Sequence, residues 1–455
     1  MTGLGADFRR LWLSSAVSNL GDGVRLTALP LLAAAVTRDP VAVAAVSVAA
    51  ELPWLLVSLP AGALADRVDR RRLMVAVQLV RMCLAALLTA TILADRSSIA
   101  VLCAFVFLLG IGEVVFDAAA PTLLPRIVPR EQLTRGNARL FGVELGANEF
   151  AGPPLGGFLF RLGQAVPFVL DAVSFAASAA LLSRLRGTFR PAGAAAAPKA
   201  GVGRAIGEGF RWLWRNPLIR TLSVVVTFMN LARAMTMAVF VLYALETLHL
   251  SAVGYGVLSS AVAVGAVAGS WAAERIRPAA AGPCLVAAVL GHGLTTVAMG
   301  ATSNPWVAGA SSAGFGFATM TWSVLTAAVR QTVVPDRLLG RVGSVHRFLS
   351  WGSLPLGSLL GGVLAAGYGL RVPFVAGGAA VVLAALVAAR TLLGVSALLA
   401  GPGGADGSGG DGGPGAGGGP GADGGPGAGG GPGAGGGPGA DGGPGGAGGV
   451  SGSGS

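Results

Sequence analysis

The sequence predicts an all-α membrane protein of about twelve transmembrane helices, and three observations predict it. Apolar residues make up 53% of the 455 positions and charged residues only 12%, where soluble domains carry about 25%. The apolar residues fall in long runs broken by short polar loops, and the chain before residue 401 has room for about twelve runs of roughly 20 residues. The loop arginines are one-sided, which is the bias that orients helices across a bilayer. The net charge of +11 does not indicate nucleic-acid binding, because the arginines form no continuous basic face. Lys199 is the single lysine among the 32 Lys and Arg residues. Cys83, Cys103 and Cys284 lie in apolar runs without metal or disulfide spacing, so they read as small packing residues.

Spans 1 to 6 are expected over Leu11–Val36, Val41–Ala65, Leu73–Ala94, Ser98–Leu124, Asn137–Phe160 and Val166–Leu185. Spans 7 to 12 are expected over Leu218–Leu245, Ala252–Ala273, Pro283–Thr302, Trp306–Val329, Gly343–Ala366 and Val372–Leu393. Arg9 and Arg10 precede a run too long for a signal peptide, so the first span is expected to stay uncleaved. The segment from Arg186 to Asn216 is basic. In it Ile206, Phe210, Leu213 and Trp214 share one helical face, while Arg204, Glu208, Arg211 and Arg215 are polar. That pattern predicts an interfacial amphipathic helix.

With both termini assigned to the cytoplasm, the inner segments hold Arg9, Arg10, Arg67, Arg70, Arg71, Arg72, Arg126, Arg130, Arg135 and Arg139. They also hold the 186–216 cluster, Arg275, Arg277, Arg330, Arg337, Arg341, Arg347 and Arg390. The outer loops hold only Arg38, Arg96, Arg161 and Arg371. The expected organisation is a first helical bundle over 1–185, a cytoplasmic linker over 186–216, a second bundle over 217–400 and a tail over 401–455. In the tail glycine recurs every third residue from Gly412 to Gly445. Proline is too sparse there to favour a collagen helix, so the tail is expected to be disordered.

Ionisable side chains inside apolar spans are costly and therefore candidates for function. Asp22 and Arg25 on span 1 are three apart and share a face. They make either a mutual ion pair or a proton-sensitive carboxylate beside a substrate-facing cation. Asn19 precedes them, and the adjoining Gly21 and Gly23 would permit local unwinding. Glu51 on span 2 is a coupling acid or a partner of Arg25 or Arg81. Glu113 and Asp117 on span 4 put two carboxylates on one face, a proton-carrying arrangement unless Arg81 neutralises them. Span 5 adds Glu144, Asn148 and Glu149. In the second part of the chain, Asn230, Arg233 and Trp322 are the candidate cavity residues, and His292 and His346 read as packing residues. No Walker A pattern is present, and no catalytic, cofactor or metal-binding constellation is expected.

A repeat links the two parts. Ile127-Val128-Pro129-Arg130-Glu131-Gln132-Leu133 precedes Pro153-Pro154-Leu155-Gly156-Gly157. Likewise, Thr332-Val333-Val334-Pro335-Asp336-Arg337-Leu338 precedes Leu359-Leu360-Gly361-Gly362.

Between spans 2 and 3 the loop reads Gly62-Ala63-Leu64-Ala65-Asp66-Arg67-Val68-Asp69-Arg70-Arg71-Arg72. It resembles motif A of the major facilitator superfamily, G-x-x-x-D-R-x-G-R-R-[RK], with Asp69 replacing the second glycine. Span 5 carries Asn148, Gly152, Pro153, Gly156 and Gly157, which resembles the family's antiporter motif, G-x-x-x-G-P-x-x-G-G, with its first glycine replaced by Asn148. The stretches Asn19–Asp22, Leu124–Pro129 and Arg347–Gly357 resemble the branch of siderophore exporters and macrolide-efflux proteins.

The resemblance implies twelve helices in two pseudo-symmetric six-helix bundles that alternate access to a central cavity. It implies a plasma-membrane, proton-coupled exporter of an amphipathic drug, antibiotic or siderophore, acting as a monomer without a cofactor. It also implies that Asp66 locks the inner side against the start of span 11 near Arg341–Ser344, in a loop that includes Gly62, Arg67, Arg70 and Arg71. An importer or facilitator on the same fold, or a non-transporting sensor, stays open as an alternative.

Overall fold

Short polar loops between long apolar helices force neighbouring helices to run antiparallel. In the computed structural model the described residues are 4–65, 67–120, 123–187, 189 and 202–400, with the side chains of 59, 202–206, 336, 337, 339, 399 and 400 left aside. Asp66 and the tail therefore lie outside the described residues. The first part comprises α1 (Gly5–Val36), α2 (Pro40–Ala65), α3 (Arg70–Leu93), α4 (Ile99–Ala119) and a short α5 (Leu124–Ile127). It continues with α6 (Leu133–Glu144), α7 (Gly152–Leu162) and α8 (Val166–Ser183). A π-helical segment, Leu145–Ala151, joins α6 to α7. The second part comprises α9 (Val202–Arg215), α10 (Pro217–Leu242) with a π turn at Tyr243–Thr247, α11 (Ala252–Ala273) and α12 (Ala281–Ala301). It ends with α13 (Pro305–Val333), α14 (Asp336–Tyr368), α15 (Val372–Leu393) and α16 (Val395–Ala400).

The helix starts are set by side-chain caps, which satisfy backbone N–H groups that have no partner within the helix. Ser98 accepts from the N–H of Val101 at 3.3 Å, Asn216 from Ile219 at 3.1 Å, Ser251 from Gly254 at 3.2 Å and Asn304 from Trp306 at 2.9 Å. Asp69, the departure from the motif, caps α3 by accepting from the N–H of Arg72 at 3.0 Å.

Nine of the described helical segments are long and apolar enough to cross a membrane. The segments that fall short do so for chemical reasons. α1 contains Asp22 and Arg25, α6 to α7 contains Glu144 and Glu149 and is broken by the π segment, and α13 is rich in Ser, Thr and Gly. Large apolar side chains stay exposed on the outer helix faces, among them Leu93, Leu162, Leu386 and Val387. In water such a surface would be strongly unfavourable.

Three larger apolar cores organise the interior of the described residues. One contains Leu29, Val46, Leu102 and Phe168 from the first part together with Phe240, Tyr255, Met299 and Phe374 from the second. A second joins Leu222, Trp322, Val345 and Val381. A third joins Phe8, Met74, Leu123 and Leu182. The shared core lies at one end of the helices. The two separate cores lie at the other end, beside the arginine-rich segments around Arg9, Arg67, Arg126 and Arg341, here called the basic end.

The contacts between the two parts follow the same division. On α2 and α14, a Cβ on Gly362 would stand 2.6 Å from that of Ala44, Ser358 donates to Glu51, and Trp54 meets Trp351 with ring centroids 5.0 Å apart. On α7 and α11, Gly157 abuts Ala252 and Gly256 abuts Pro153. Towards the basic end, a Cβ added to Gly62, Gly340 or Gly343 would meet nothing within 4 Å.

Candidate functional site: a buried ion cluster at the heart of the first part

α1 is continuous through Asn19-Leu20-Gly21-Asp22-Gly23, so these glycines do not unwind it. They allow close packing on two sides. A Cβ on Gly21 would stand 2.1 Å from Ser174 Oγ and 2.8 Å from Asp171 Oδ1 of α8. One on Gly23 would stand 2.4 Å from the carbonyl oxygen of Asn148. Because nothing larger fits, α1 approaches α8 closely enough for Arg25 to reach across.

Arg25 and Arg81 are 6% and 1% exposed. Arg25 Nη2 donates to Asp22 Oδ1 at 2.8 Å and to Glu113 Oε2 at 3.2 Å. Its Nε lies 3.3 Å from Asp171 Oδ2. Arg81 Nη2 donates to the same Asp22 oxygen at 2.6 Å and lies 3.6 Å from Glu113 Oε2. Its guanidinium sits 4.2 Å above the Phe175 ring, a cation–π contact. Gln78 extends the network by donating to Ser178 Oγ at 2.7 Å and to Ser18 Oγ at 3.0 Å. The cluster thus sets the carboxylates of Asp22, Glu113 and Asp171 against the guanidiniums of Arg25 and Arg81. With every group ionised it carries one excess negative charge. Buried ion pairs keep their geometry only where such charges are compensated.

The other predicted residues are distributed as follows. Glu113 adjoins the arginines, whereas Asp117, one turn further along α4, is exposed and its carboxylate makes no hydrogen bond or ion pair among the described residues. Asp117 lies within electrostatic reach of Glu113, Glu144 and Arg81. Glu144 and Glu149 are exposed neighbours, and the side-chain carbonyl of Asn148 is buried without a partner. Asn19 donates back to Ser15 within α1. Glu51 is not a partner of Arg25 or Arg81, which other carboxylates occupy. It accepts from Ser358 Oγ of α14 at 3.1 Å, and Arg233 is its charged neighbour. Asn230 donates to the carbonyl oxygen of Ser350 at 3.0 Å. Trp322 is 2% exposed, inside the second core. His292 packs 4.4 Å from Phe315, and His346 meets Ser223 Oγ at 2.9 Å.

Among the antiporter-type residues, Gly152 and Gly156 abut Gly23 and Val24 of α1, and Gly157 abuts α11. A π-helical segment, Leu145–Ala151, precedes Pro153. Pro154 has no N–H for the carbonyl of Phe150. Ser260 Oγ of α11 fills that role at 3.0 Å. In the motif A loop, Arg71 donates to the carbonyl oxygen of Leu185 at 2.6 Å, and Asp69 accepts from the N–H of Phe189 at 3.4 Å. The described part of the loop is therefore tied to the chain leaving α8, while Arg341 pairs with Glu208 of α9.

Asp171 was not among the sequence candidates, yet it is fully buried with both oxygens lacking a hydrogen bond. The signal was present, since it is an acid inside the apolar run from Val166 to Leu185. Among the described residues, no group of three or more His, Cys, Asp or Glu could hold a metal ion.

A helical membrane protein with a buried ion network and two parts meeting along a seam has the form of a secondary transporter. The chain belongs to the transmembrane secretion effector family of major facilitator transporters, whose sequence profile matches residues 5–398. It is 27% identical over 376 residues to the multidrug efflux pump Tap of Mycolicibacterium fortuitum, covering 80% of this chain and 90% of that one. It is 28% identical over 401 residues to the uncharacterized MFS-type transporter y4rN of Sinorhizobium fredii, covering 83% and 92%. Among solved structures it resembles an inward-facing bacterial homologue of the iron transporter ferroportin, with a TM-score of 0.67, 17% identity, and coverage of 86% of this chain and 98% of that one. It also resembles a nucleoside transporter, with a TM-score of 0.70, 9% identity, and coverage of 85% and 100%.

Proposed function

We propose that the protein is a proton-coupled exporter of an amphipathic small molecule. It would work by alternating access between two six-helix bundles, as a monomer in the plasma membrane with the basic end and both termini in the cytoplasm. The observation that carries this reading is the ion cluster. Asp22, Glu113 and Asp171 outnumber Arg25 and Arg81, so the cluster is charge-balanced when it holds one proton. Asp117 lies within electrostatic reach of the cluster's Glu113 and Arg81, Glu144 lies within reach of Asp117, and both are exposed, which offers a route for that proton. Gain or loss of the proton would change the electrostatic cost of packing α1, α3, α4 and α8 together and so shift a two-state balance. The positive-inside bias supports the orientation, and the relative that pumps drugs outward supports the direction.

The test uses inverted membrane vesicles with a respiration-driven acid interior reported by a pH-sensing dye. A panel of antibiotics, siderophores and dyes is added in turn. The expected result is that one compound collapses the acid gradient only in vesicles containing this protein, and that Asp117→Asn abolishes the collapse. Labelled compounds that equilibrate without dissipating the gradient, and do so equally in Asp22→Asn and Asp117→Asn, would instead make the protein an uncoupled facilitator. The pairing of Asp22 with both arginines at 2.8 and 2.6 Å favours that second reading, because it would then be purely structural.

A further inference from the structure

The second part of the chain carries a half-open cavity of about 510 Å³ between α10, α13 and α14. His346, Arg347 and Ser350 of α14 line it, and their spacing puts them on one helical face. Arg330 enters from α13 and Asn230 from α10, and Trp351 forms its edge. Arg330 and Arg347 are electrostatic neighbours of like charge, and neither guanidinium makes a hydrogen bond or ion pair among the described residues. Ser350 is 4% exposed, and its Oγ has no partner. His346 is already engaged by Ser223.

A buried orphan hydroxyl beside two like charges, Arg330 half-buried and Arg347 exposed, leaves one cleft unsatisfied. An anionic group would relieve all three at once. Arginine suits planar or tetrahedral oxyanions because its N–H fork can bond two oxygens. Beside these groups, Trp351 is 42% exposed and meets Trp54 across the seam between the two parts. An apolar body attached to the anion would lie against that aromatic pair. These groups are distinct from Arg25, which carboxylates occupy, and from Arg233, the charged neighbour of Glu51.

We propose that this cavity receives the acidic group of an amphipathic anion. Arg330 and Arg347 hold its carboxylate, phosphate or sulfonate, Ser350 donates a hydrogen bond to it, and Trp351 carries its apolar body. The proposal rests on the transport reading above and narrows the substrate to an acid-bearing amphiphile.

The test measures binding without any proton gradient. The protein is placed in phosphatidylcholine nanodiscs and titrated with 1-pyrenebutyrate, with energy transfer from protein tryptophan to pyrene as the readout. Saturable transfer is expected. It should weaken at least about tenfold in Arg330→Gln and in Arg347→Gln, the scale of one lost charge-assisted contact, and several-fold in Ser350→Ala. The cationic analogue 1-pyrenebutyltrimethylammonium should give no saturable transfer. Both arginine variants should unfold at the same temperature as the parent or higher, since a repulsion is removed. A structural role for either arginine would lower that temperature.

Unchanged binding in both variants, or equal binding of the cationic analogue, overturns the proposal. Complete displacement of the probe by phosphatidylglycerol in the discs would assign the cavity to lipid headgroups and overturn the substrate assignment. Persistence of binding beside that lipid supports it. Because no gradient is used, a failure of proton coupling in the vesicle assay leaves this result intact, and the reverse also holds.

Discussion

Arg25 faces Asp22, Glu113 and Asp171 with a side chain only 7% exposed. Removing one partner of a buried ion pair leaves an uncompensated charge and costs about 3–5 kcal/mol. Arg25→Met should therefore lower the thermal unfolding midpoint sharply in detergent. Asp171→Asn should cost much less, because it leaves two carboxylates against two guanidiniums. Equal losses in the two variants would show that the cluster carries no excess charge, and the coupling argument would go with it. Asp22, Arg25 and Glu113 were legible in the sequence because a charge in an apolar run stands out. What the sequence did not fix was who pairs with whom. Helical spacing relates Asp22 to Arg25, but only the packing of α1 on α8 brings Asp171 to Arg25, across 146 residues of chain. Trp322 shows the converse limit. An aromatic residue in a span gives no sign of whether it faces a cavity or a core, and here the core holds it.

At the scale of the element, small residues decide how helices meet. A Cβ on Gly157 would stand 2.2 Å from the carbonyl oxygen of Ala252, and backbone on both sides leaves nothing to yield. Gly157→Val should force α7 away from α11 at the end opposite the basic one. Spin labels at Leu162 and Ser251 should then report a longer and broader distance distribution than in the parent. Gly367→Ala, at a site with open space around it, should leave the distribution unchanged, and a shift of similar size in both variants would remove the steric argument. The glycines of this segment were legible as packing positions. The π segment at Leu145–Ala151 was not, because prolines announce a bend without saying how the displaced carbonyls are satisfied. Here the answer depends on Ser260, which is 110 residues away from Phe150. Helix existence was legible almost throughout, since apolar runs of roughly 20 residues bounded by caps leave little choice.

Across the whole molecule, the arrangement of cores makes the two ends unequal. One core binds both parts together at one end, and separate cores leave them apart at the basic end. Every described contact of α2 with α14 named above lies between residues 44–54 and 351–362. Gly62 and Gly340 have open space beside them. A carrier that alternates must therefore have a second state in which the shared core parts and the basic ends close. If the expected lock forms in that state, Asp66 would approach Arg341–Ser344, which the structure places inside α14 rather than at its start, since α14 begins at Asp336. Two cysteine pairs in a cysteine-free background separate the states. Glu51→Cys with Ser358→Cys, at side chains that touch here, should be bridged by a short bis-thiol-reactive reagent in the state described here, and Gly62→Cys with Gly340→Cys only in the other. Their yields should move in opposite directions when a transported compound is added. Asp66→Asn, by weakening the second closure, should lower the yield of the Gly62/Gly340 pair and raise that of the Glu51/Ser358 pair. Yields that rise and fall together would mean that the two seams are not alternatives, and the rocking of two bundles would have to be abandoned.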